Sequence, residues 1–333
     1  MGKRITALKS KVKRFVKSVS GIEEGKKLSS PFATGSGGPL FENQIQTSFA
    51  VLMLAGGICP CLKRPIKEIK LQGRYAGFHT DDFIAFVEQA DGSDKAKFLA
   101  QIKHAVSITI ANTAFKEAIA AAWRDFKNPD VFDPTTDVIA LISGPLSATD
   151  IDHVRPILES SRNSQTADEF FKKMKLARFT SSESRKKLKI FRTQLNIANQ
   201  NIAITNDELW AFLRCYHLLG FDLDVQSGTS LSFLHSLIAQ FNGGDPTLVW
   251  GAVTNYVASA NQNAGTLTRD TIPKNIRDLF SKQKVQMPEE LKTETNTQAL
   301  SGDQGNAVML ATLLGSWNEK MDSDMDVAKK LIE

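Results

Sequence analysis

Three segments with the pattern of β-strands follow one another between residues 66 and 106, and a helical segment lies on each side of them. In the helices, apolar residues recur at helical spacing. The second and third strands are joined by turn-forming residues, as in a hairpin. The segments are, in order, a helix at 39–55, strands at 66–72, 81–89 and 97–106 with the turn at 90–94, a helix at 111–126 and a strand at 137–144. This αβββαβ order predicts an α/β core with a mixed sheet.

The pattern changes at about residue 149, beyond which most of the sequence looks helical, whereas at 163–180 the segment FKKMKLARFT leaves a strand as the alternative. Residues 205–208, Thr-Asn-Asp-Glu, offer a capping box before an apolar run, which is typical of a helix start. The helical segments are 181–200, 205–223, 230–241 and 245–262. We therefore expect an all-α region after the core. The parts are a basic amphipathic segment at 1–32, a domain at 33–200 with its core at 39–145, and a helical region at 201–333.

The chain has 333 residues, of which 42% are hydrophobic and 23% charged, as in ordinary globular proteins. No apolar run approaches the roughly 18 residues of a membrane helix, so no membrane partner is expected. Three cysteines give no even disulfide framework and indicate a reducing cytoplasm, although residues 3–19 also resemble a transit peptide. The first thirty residues carry nine Lys or Arg against two Glu. This excess of positive charge favours binding to a polyanion. The alternative is that the basic segment forms a helix that packs on its own domain.

Gln101 and Lys103 lie two residues apart in the third strand, so their side chains point to the same face. Neighbouring strands are about 4.8 Å apart, and the hairpin brings the start of the second strand next to these residues. Asp82 stands at that start. We therefore expect its carboxylate beside Gln101 and Lys103, with Ile102 facing the core. Glu42, in the first turn of the preceding helix, completes the cluster.

This cluster has the donors that a hard divalent cation prefers. Mg²⁺ accepts carboxylate and neutral oxygens while it keeps several waters, and Mn²⁺ is an expected substitute. Lys103 would hold or deprotonate a metal-bound water, which is the chemistry of phosphodiester hydrolysis. Asp82 is preferred over its neighbour because it directly precedes the apolar strand. The candidate ligands are Asp82, Gln101, Glu42 and the backbone carbonyl of Ile102, with Asp81 as the alternative.

In this αβββαβ order, Glu42, Asp82 and Gln101-Ile102-Lys103 resemble the PD-(D/E)xK nuclease superfamily, in particular its Mrr-like branch, which carries QxK. The segments GGPLFENQIQTSFAVLMLAGG, LQGRYAGFHTDDFIAF and AQIKHAVSIT are similar to nuclease domains at the N terminus of bacterial antiphage Avs-type proteins. In those proteins a STAND-type NTPase and a repeat sensor follow the nuclease. The similarity covers residues 38–145 and continues weakly through ELWAFLRCYHLLGFDLDV and LLGSWNEKMDSD.

The resemblance implies a restriction-endonuclease-like fold for residues 33–200 and a helical connector at 201–333 that leads to an NTPase outside this chain. It implies a magnesium-dependent endodeoxyribonuclease that cleaves double-stranded DNA with little sequence specificity. In this interpretation the enzyme is the effector of an antiphage defence protein and is activated by homo-oligomerisation. The implied catalytic residues are Asp82 and Gln101, which bind Mg²⁺, Lys103, which positions the attacking water, and Glu42, which supports the metal.

The chain departs from the family motif at two places. Thr80-Asp81-Asp82 stands where the family has Pro-Asp, and Gln101 removes one negative charge from the site. The alternative hypothesis is therefore a catalytically inactive module of the same fold that binds nucleic acid or a partner protein. In such a module Asp82 and Lys103 are replaceable without loss of function.

Basic residues near the predicted site are candidates for contacts with the DNA backbone. Contacts of Lys or Arg with phosphates are sensitive to salt and indifferent to sequence. The run SRKKLKIFR at 184–192 is equally typical of a solvated helix face. The candidates are Lys63, Arg64, Lys67, Arg74, His79, His104, Arg185, Lys186 and Lys187.

Overall fold

The sheet and the helices around it are built from residues 37–88, 96–225, 227–241 and 244–281, which are the residues that the computed structural model describes. Three of the predicted features lie outside these residues. They are the basic amphipathic segment at 1–32, the hairpin turn at 90–94 and the helical region beyond residue 281.

The described residues form the following helices and strands. The helices are α1 (Gly37–Ala55), α2 (Thr113–Phe126), α3 (Ala148–His153), α4 (Arg155–Arg162), α5 (Ala167–Lys175), α6 (Ser182–Ala198), α7 (Asn206–Cys215), α8 (Thr229–Ile238), α9 (Pro246–Gln262) and α10 (Lys274–Asp278), with a 3₁₀ helix at Gly73–Ala76. The strands are β1 (Ile66–Leu71), β2 (Phe83–Val87), β3 (Ala96–Lys103), β4 (Val138–Ser143), β5 (Tyr216–Gly220) and β6 (Thr266–Thr268).

Capping residues start two of the predicted helices. The Asn112 side chain accepts a hydrogen bond from the N–H of Phe115 at 2.8 Å and caps α2. At α7 the Thr205 hydroxyl accepts from the Glu208 N–H, and the Glu208 carboxylate accepts from the Thr205 N–H. This reciprocal pair is a complete capping box, because each side chain satisfies a backbone donor of the first turn.

The six strands form one mixed sheet in the order β5-β4-β3-β2-β1-β6. The pairs β6/β1, β1/β2 and β2/β3 are antiparallel, whereas β3/β4 and β4/β5 are parallel. Ala100 of β3 pairs with Phe83 of β2, and Gln101 pairs with Leu141 of β4. Therefore β1, β3, β4 and β5 end at the same edge of the sheet, where β2 and β6 begin.

Two apolar layers cover the two faces of the sheet. α1, α8, α9 and α10 pack on one face, and α2 and α4 to α7 pack on the other. In β3 the side chains alternate between them, because Phe98, Ala100 and Ile102 belong to the first layer and Leu99 to the second. The alternation puts Gln101 and Lys103 on the face of Leu99, opposite Ile102.

The structure confirms an α/β fold with a mixed sheet, but the predicted all-α region after residue 200 is wrong. The helix predicted at 205–223 ends at Cys215, and the chain continues as β5 beside β4. Residues 266–268 form the edge strand β6, and α9 packs against α1. The run YHLLGF is too short for its periodicity to separate a strand from a helix, so the parallel pairing with β4 decides its conformation. Residues 201–281 are therefore part of the same sheet structure.

Within the described part of the chain, no helix combines the length and the apolar character that a bilayer-spanning segment requires.

Candidate ligand-binding site at the carboxyl end of the sheet

The candidate site lies at the edge where β1, β3, β4 and β5 end. Open α/β sheets bind ligands at the carboxyl ends of their strands, because the loops there leave a crevice. The loop from β1 to β2, the end of β3 and the turn after α9 meet at this edge: Leu71 N–H donates to the Gly265 carbonyl, and Gln72 N–H to the Asp82 carbonyl.

Asp82 immediately precedes β2 and contacts the end of β3. Its Oδ2 accepts a hydrogen bond from Gln101 Nε2 at 2.6 Å and another from the backbone N–H of Ile102. The structure thus brings Asp82 and Gln101 together across the hairpin. Oδ2 of Asp82 is therefore already hydrogen-bonded within the chain.

The Asp82 carboxyl is strongly perturbed. Burial raises its pKa from the ordinary 3.8 to about 7, because the charged form loses its hydration. The N–H of Ile102 and the charge of Lys103 oppose this effect, whereas the charges of Glu42 and Asp81 add to it. Near neutral pH Asp82 is therefore a mixture of the neutral acid and the carboxylate.

Glu42 lies on α1 and is held by three side-chain amides. Its Oε1 accepts hydrogen bonds from Gln46 Nε2 at 3.1 Å, Gln72 Nε2 at 3.2 Å and Asn261 Nδ2 at 3.2 Å. We call Gln46, Gln72 and Asn261 the amide cluster. Burial raises the pKa of Glu42, and the hydrogen bonds from Asn261 and Gln46 partly offset this.

The amide cluster was missed by the sequence prediction, and its members come from three distant parts of the chain. Asn261 Oδ1 also accepts from Gln46 and Gln72, so the three amides are linked to one another. Gln46 is fully buried, yet its Oε1 has no hydrogen-bond partner among the described residues. A buried unpartnered amide oxygen is uncommon and marks a polar position that a ligand or water can satisfy.

Lys103 is half-buried at the end of β3, and no ion pair or hydrogen bond of its ammonium occurs within the described residues. Its positive charge lowers the pKa of both Glu42 and Asp82, so it lies within electrostatic range of the two carboxyls. The site therefore has a cation that is not paired directly with either carboxylate.

Asp81 has a different partner from Asp82. Its carboxylate forms an ion pair with Arg74 at 2.9 Å, and the Arg74 side chain is 75% exposed. The segment before Asp81 is fixed by the fully buried Asp125, which accepts the N–H of His79 at 2.8 Å and of Thr80 at 2.6 Å. Asp125 thus positions Asp81 and Asp82, although no sequence motif pointed to it.

Several of the predicted backbone-contact residues lie away from the site. Lys63 and Arg64 precede β1, whose first residue, Ile66, pairs with Val87 at the far end of β2. Because β1 has six residues, Lys63 and Arg64 lie roughly 20 Å from the site. Lys67 pairs with Glu88 at 2.8 Å.

His79 and His104 differ in their surroundings. The His79 side chain is exposed. His104 lies 3.1 Å from Asp224 Oδ2 and packs edge-on against the Phe41 ring, with the ring centroids 5.3 Å apart.

The three basic residues on α6 differ in accessibility. Lys186 pairs with Glu183 at the surface, and Arg185 donates to the Thr180 carbonyl. Lys187 is buried and donates to Asp150 Oδ1 and to the Ile108 carbonyl, both at 2.9 Å. This interior ion pair leaves the Lys187 ammonium poorly accessible to the DNA phosphate that the sequence analysis assigned to it.

The described residues contain no group of three or more His, Cys, Asp or Glu arranged to hold a metal ion. The site offers two carboxyls, Glu42 and Asp82, with the Gln101 amide and the Ile102 carbonyl as neutral donors. Because a hydrated Mg²⁺ needs only one or two carboxylates from a protein, this donor set fits such an ion. A bound cation would also lower the pKa of both carboxyls, because its positive charge stabilises their ionised forms.

No protein-family model matches the chain, and no curated protein is similar to it. Three similar solved structures are Cap4 SAVED/CARF-domain containing receptors. The Acinetobacter baumannii receptor with the cyclic trinucleotide 3′3′3′-cAAA is 12% identical, with a TM-score of 0.39, over 72% of this chain and 45% of that one. The Moraxella osloensis receptor is 11% identical, with a TM-score of 0.39, over 74% and 47%. The chain thus spans less than half the length of these receptors.

The comparisons correct the family assignment and the function inferred from the motif. The similar structures are described as receptors and not as PD-(D/E)xK nucleases, so both the superfamily assignment and the metal-dependent endonuclease are contradicted.

Proposed function

We propose that this chain is a nucleic-acid-binding module and that the sheet edge around Lys103 contacts the phosphate backbone. The observation that carries the proposal is the unpaired ammonium of Lys103 at the carboxyl end of the sheet. A Lys that is half-buried without a counter-ion is expected to gain from an anionic ligand. Arg74, which is exposed and paired with Asp81, supplies a second cation.

We further propose that a divalent cation takes part in this binding. Glu42 and Asp82 would hold it, with Gln101 and the Ile102 carbonyl as neutral donors. When bound, Mg²⁺ supplies positive charge that neutralises both carboxyls and attracts a phosphate oxygen. Without it, the two carboxyls oppose the approach of a phosphate, so binding is expected to be stronger in Mg²⁺ or Mn²⁺ than in EDTA.

The larger setting of the module is also a proposal. DNA as the polyanion, a homo-oligomer, an NTPase or sensor region in a longer protein and a role in antiphage defence remain predictions. One of the similar receptors is described with a cyclic trinucleotide, so 3′3′3′-cAAA is a useful second probe beside DNA.

The test is fluorescence anisotropy with labelled double-stranded DNA, single-stranded DNA and 3′3′3′-cAAA, in Mg²⁺ and in EDTA. Lys103→Ala is compared with Lys172→Ala, which removes the same charge from an exposed position on α5. In contrast to the sequence-based expectation that Lys103 is replaceable in a non-catalytic module, we expect Lys103→Ala to lower the slope of log K against log salt by about 1 and to weaken binding about tenfold. Lys172→Ala should leave both unchanged.

The proposal is refuted if none of the probes binds at low salt. It is also refuted if the two lysine variants lose the same affinity, because the attraction would then be a property of the net charge and not of the site.

A further inference from the structure

A cavity of about 570 Å³ opens next to the amide cluster. Gln72 and Asn261 belong both to the cluster and to the cavity wall, so the cavity adjoins the amides that hold Glu42. It is lined by Gln72, Tyr75, Asn261, Gln262, Asn263 and Ala264. The walls therefore combine one aromatic ring with several side-chain amides.

Tyr75 is 90% exposed, the highest exposure of any large hydrophobic side chain in the described part of the chain. No hydrogen bond of its hydroxyl occurs among the described residues. The 3₁₀ helix that carries it is nevertheless well fixed, since Gly73 N–H donates to the Asp81 carbonyl at 2.6 Å and Gly77 N–H to the Arg74 carbonyl at 3.0 Å. A rigid turn thus displays an aromatic ring with no packing role.

Two of the lining residues adopt a backbone conformation that favours glycine. Gln72 has φ 51° and Ala264 has φ 47°. Gln72 is held by its hydrogen bonds to Glu42 and Asn261, whereas Ala264 has no polar side chain that could compensate. Left-handed non-glycine residues cost free energy and tend to cluster at ligand sites. Here two of them line one cavity.

We propose that this cavity binds one unpaired nucleobase, which stacks on Tyr75 and hydrogen-bonds with the amides of the wall. An aromatic face together with amide donors and acceptors is the chemistry by which proteins recognise unstacked bases. Gln262 is exposed on the wall and has no side-chain partner in the described residues, so it is available for the base edge. Arg74 adjoins Tyr75 on the side of the site and would contact the phosphate.

This inference rests on the proposed function and makes it more specific. A base in a duplex is stacked and paired, so its faces and edge cannot enter the cavity. The chain should therefore prefer single-stranded nucleic acid over a duplex. A free nucleotide has the same base and phosphate chemistry, and the test includes it as a separate probe.

The experiment measures anisotropy of a labelled oligothymidine, an abasic oligonucleotide of the same length and a duplex. It uses the full chain and the variants Tyr75→Ala, Tyr75→Phe and Phe179→Ala, the last an exposed aromatic on the other layer of the fold. Loss of one stacking contact is expected to weaken oligothymidine binding by Tyr75→Ala about tenfold. Tyr75→Phe and Phe179→Ala should bind as the parent chain does, and binding of the abasic strand should be indifferent to Tyr75.

Competition with free thymidine monophosphate separates the two sources of the ligand. If the nucleotide displaces oligothymidine from the parent chain but not from Tyr75→Ala, the cavity accepts free nucleotides. If it does not, the oligonucleotide is the ligand.

Equal binding of oligothymidine and the abasic strand, or an unchanged affinity in Tyr75→Ala, overturns the base site. In that case salt-sensitive binding lost in Lys103→Ala would still support the proposed function. If the parent chain binds no nucleic acid, the proposed function fails first. Tyr75 is exposed, so its replacement is not expected to unfold the chain, and thermal unfolding of each variant verifies this.

Discussion

Replacing Asp82 by Asn tests whether the carboxyl at the end of the sheet is as poorly solvated as the structure indicates. Asn has nearly the same shape, and its Oδ1 can accept the same hydrogen bonds from Gln101 and the Ile102 N–H. The substitution therefore removes mainly the ionisation. The effect of the substitution on stability should therefore depend on pH, and the pKa of Asp82 determines its size.

The magnitude follows from linkage. The pKa of Asp82 is about 7 in the folded chain, against an ordinary value of 3.8. Between these values the unfolded chain loses its proton while the folded chain keeps it, so stability falls as pH rises. The full loss is about 4 kcal/mol. From about pH 5 to about pH 8 the loss is about 2.5 kcal/mol, and Asp82→Asn should not share it.

The assay is urea unfolding of the parent chain and of Asp82→Asn at a series of pH values, followed by tryptophan fluorescence. EDTA is present throughout, so that no cation offsets the charge. We expect the variant to gain about 2.5 kcal/mol relative to the parent chain between about pH 5 and about pH 8.

Glu208→Gln is the matched control. Hydrogen bonds from the Thr205 N–H and from Lys127 lower the pKa of Glu208, so this carboxylate is ionised in both the folded and the unfolded chain over most of that range. Its stability difference from the parent chain should stay constant. If the difference for Asp82→Asn is also constant between about pH 5 and about pH 8, the argument from burial is refuted.

Three further substitutions test other parts of the structure. Asp125→Ala leaves the backbone N–H groups of His79 and Thr80 without their acceptor, so we expect a loss of about 2 to 4 kcal/mol in urea unfolding, together with weaker ligand binding. Lys187→Met leaves the Asp150 carboxylate buried and unpaired and should cost about 3 to 5 kcal/mol without changing DNA affinity; a larger effect on affinity than on stability would contradict the interior role. Gln101→Glu places a second carboxylate next to Asp82, so the variant should be less stable than the parent chain in EDTA and gain more from Mg²⁺, as thermal unfolding would show. Equal responses to Mg²⁺ would argue against a cation site.

Local periodicity was sufficient to predict the first half of the fold. α1 and the strands β1 to β4 lie where the apolar patterns placed them, and the hairpin fixed the approach of Asp82 to Gln101. These features depend on residues close in sequence or joined by one turn. β5 was missed because its five residues carry no distinguishing period and acquire their conformation from pairing with β4.

The parts of the site that the sequence did not reveal depend on long-range packing. Gln46 and Asn261 are 215 residues apart and meet only because α9 packs on α1. For Lys187, in contrast, the sequence did contain a signal of burial. It lies three and four residues from the buried Ser184 and Phe191, on the inner stripe of α6, and was interpreted as a surface charge only because lysine usually is one.

The placement of Gln101 and Lys103 on one face has a physical consequence for the site. In β3 the residue nearer the strand centre meets Asp82, and this residue is a neutral amide. If the positions were exchanged, the ammonium would pair with the buried carboxylate and hold it ionised, since an opposite charge lowers the pKa of an acid. With the amide inside, Asp82 is left with a pKa of about 7, and the cation at position 103 is left without a direct counter-ion. The order of the two residues therefore keeps both charges available to a ligand, which a buried ion pair would have prevented.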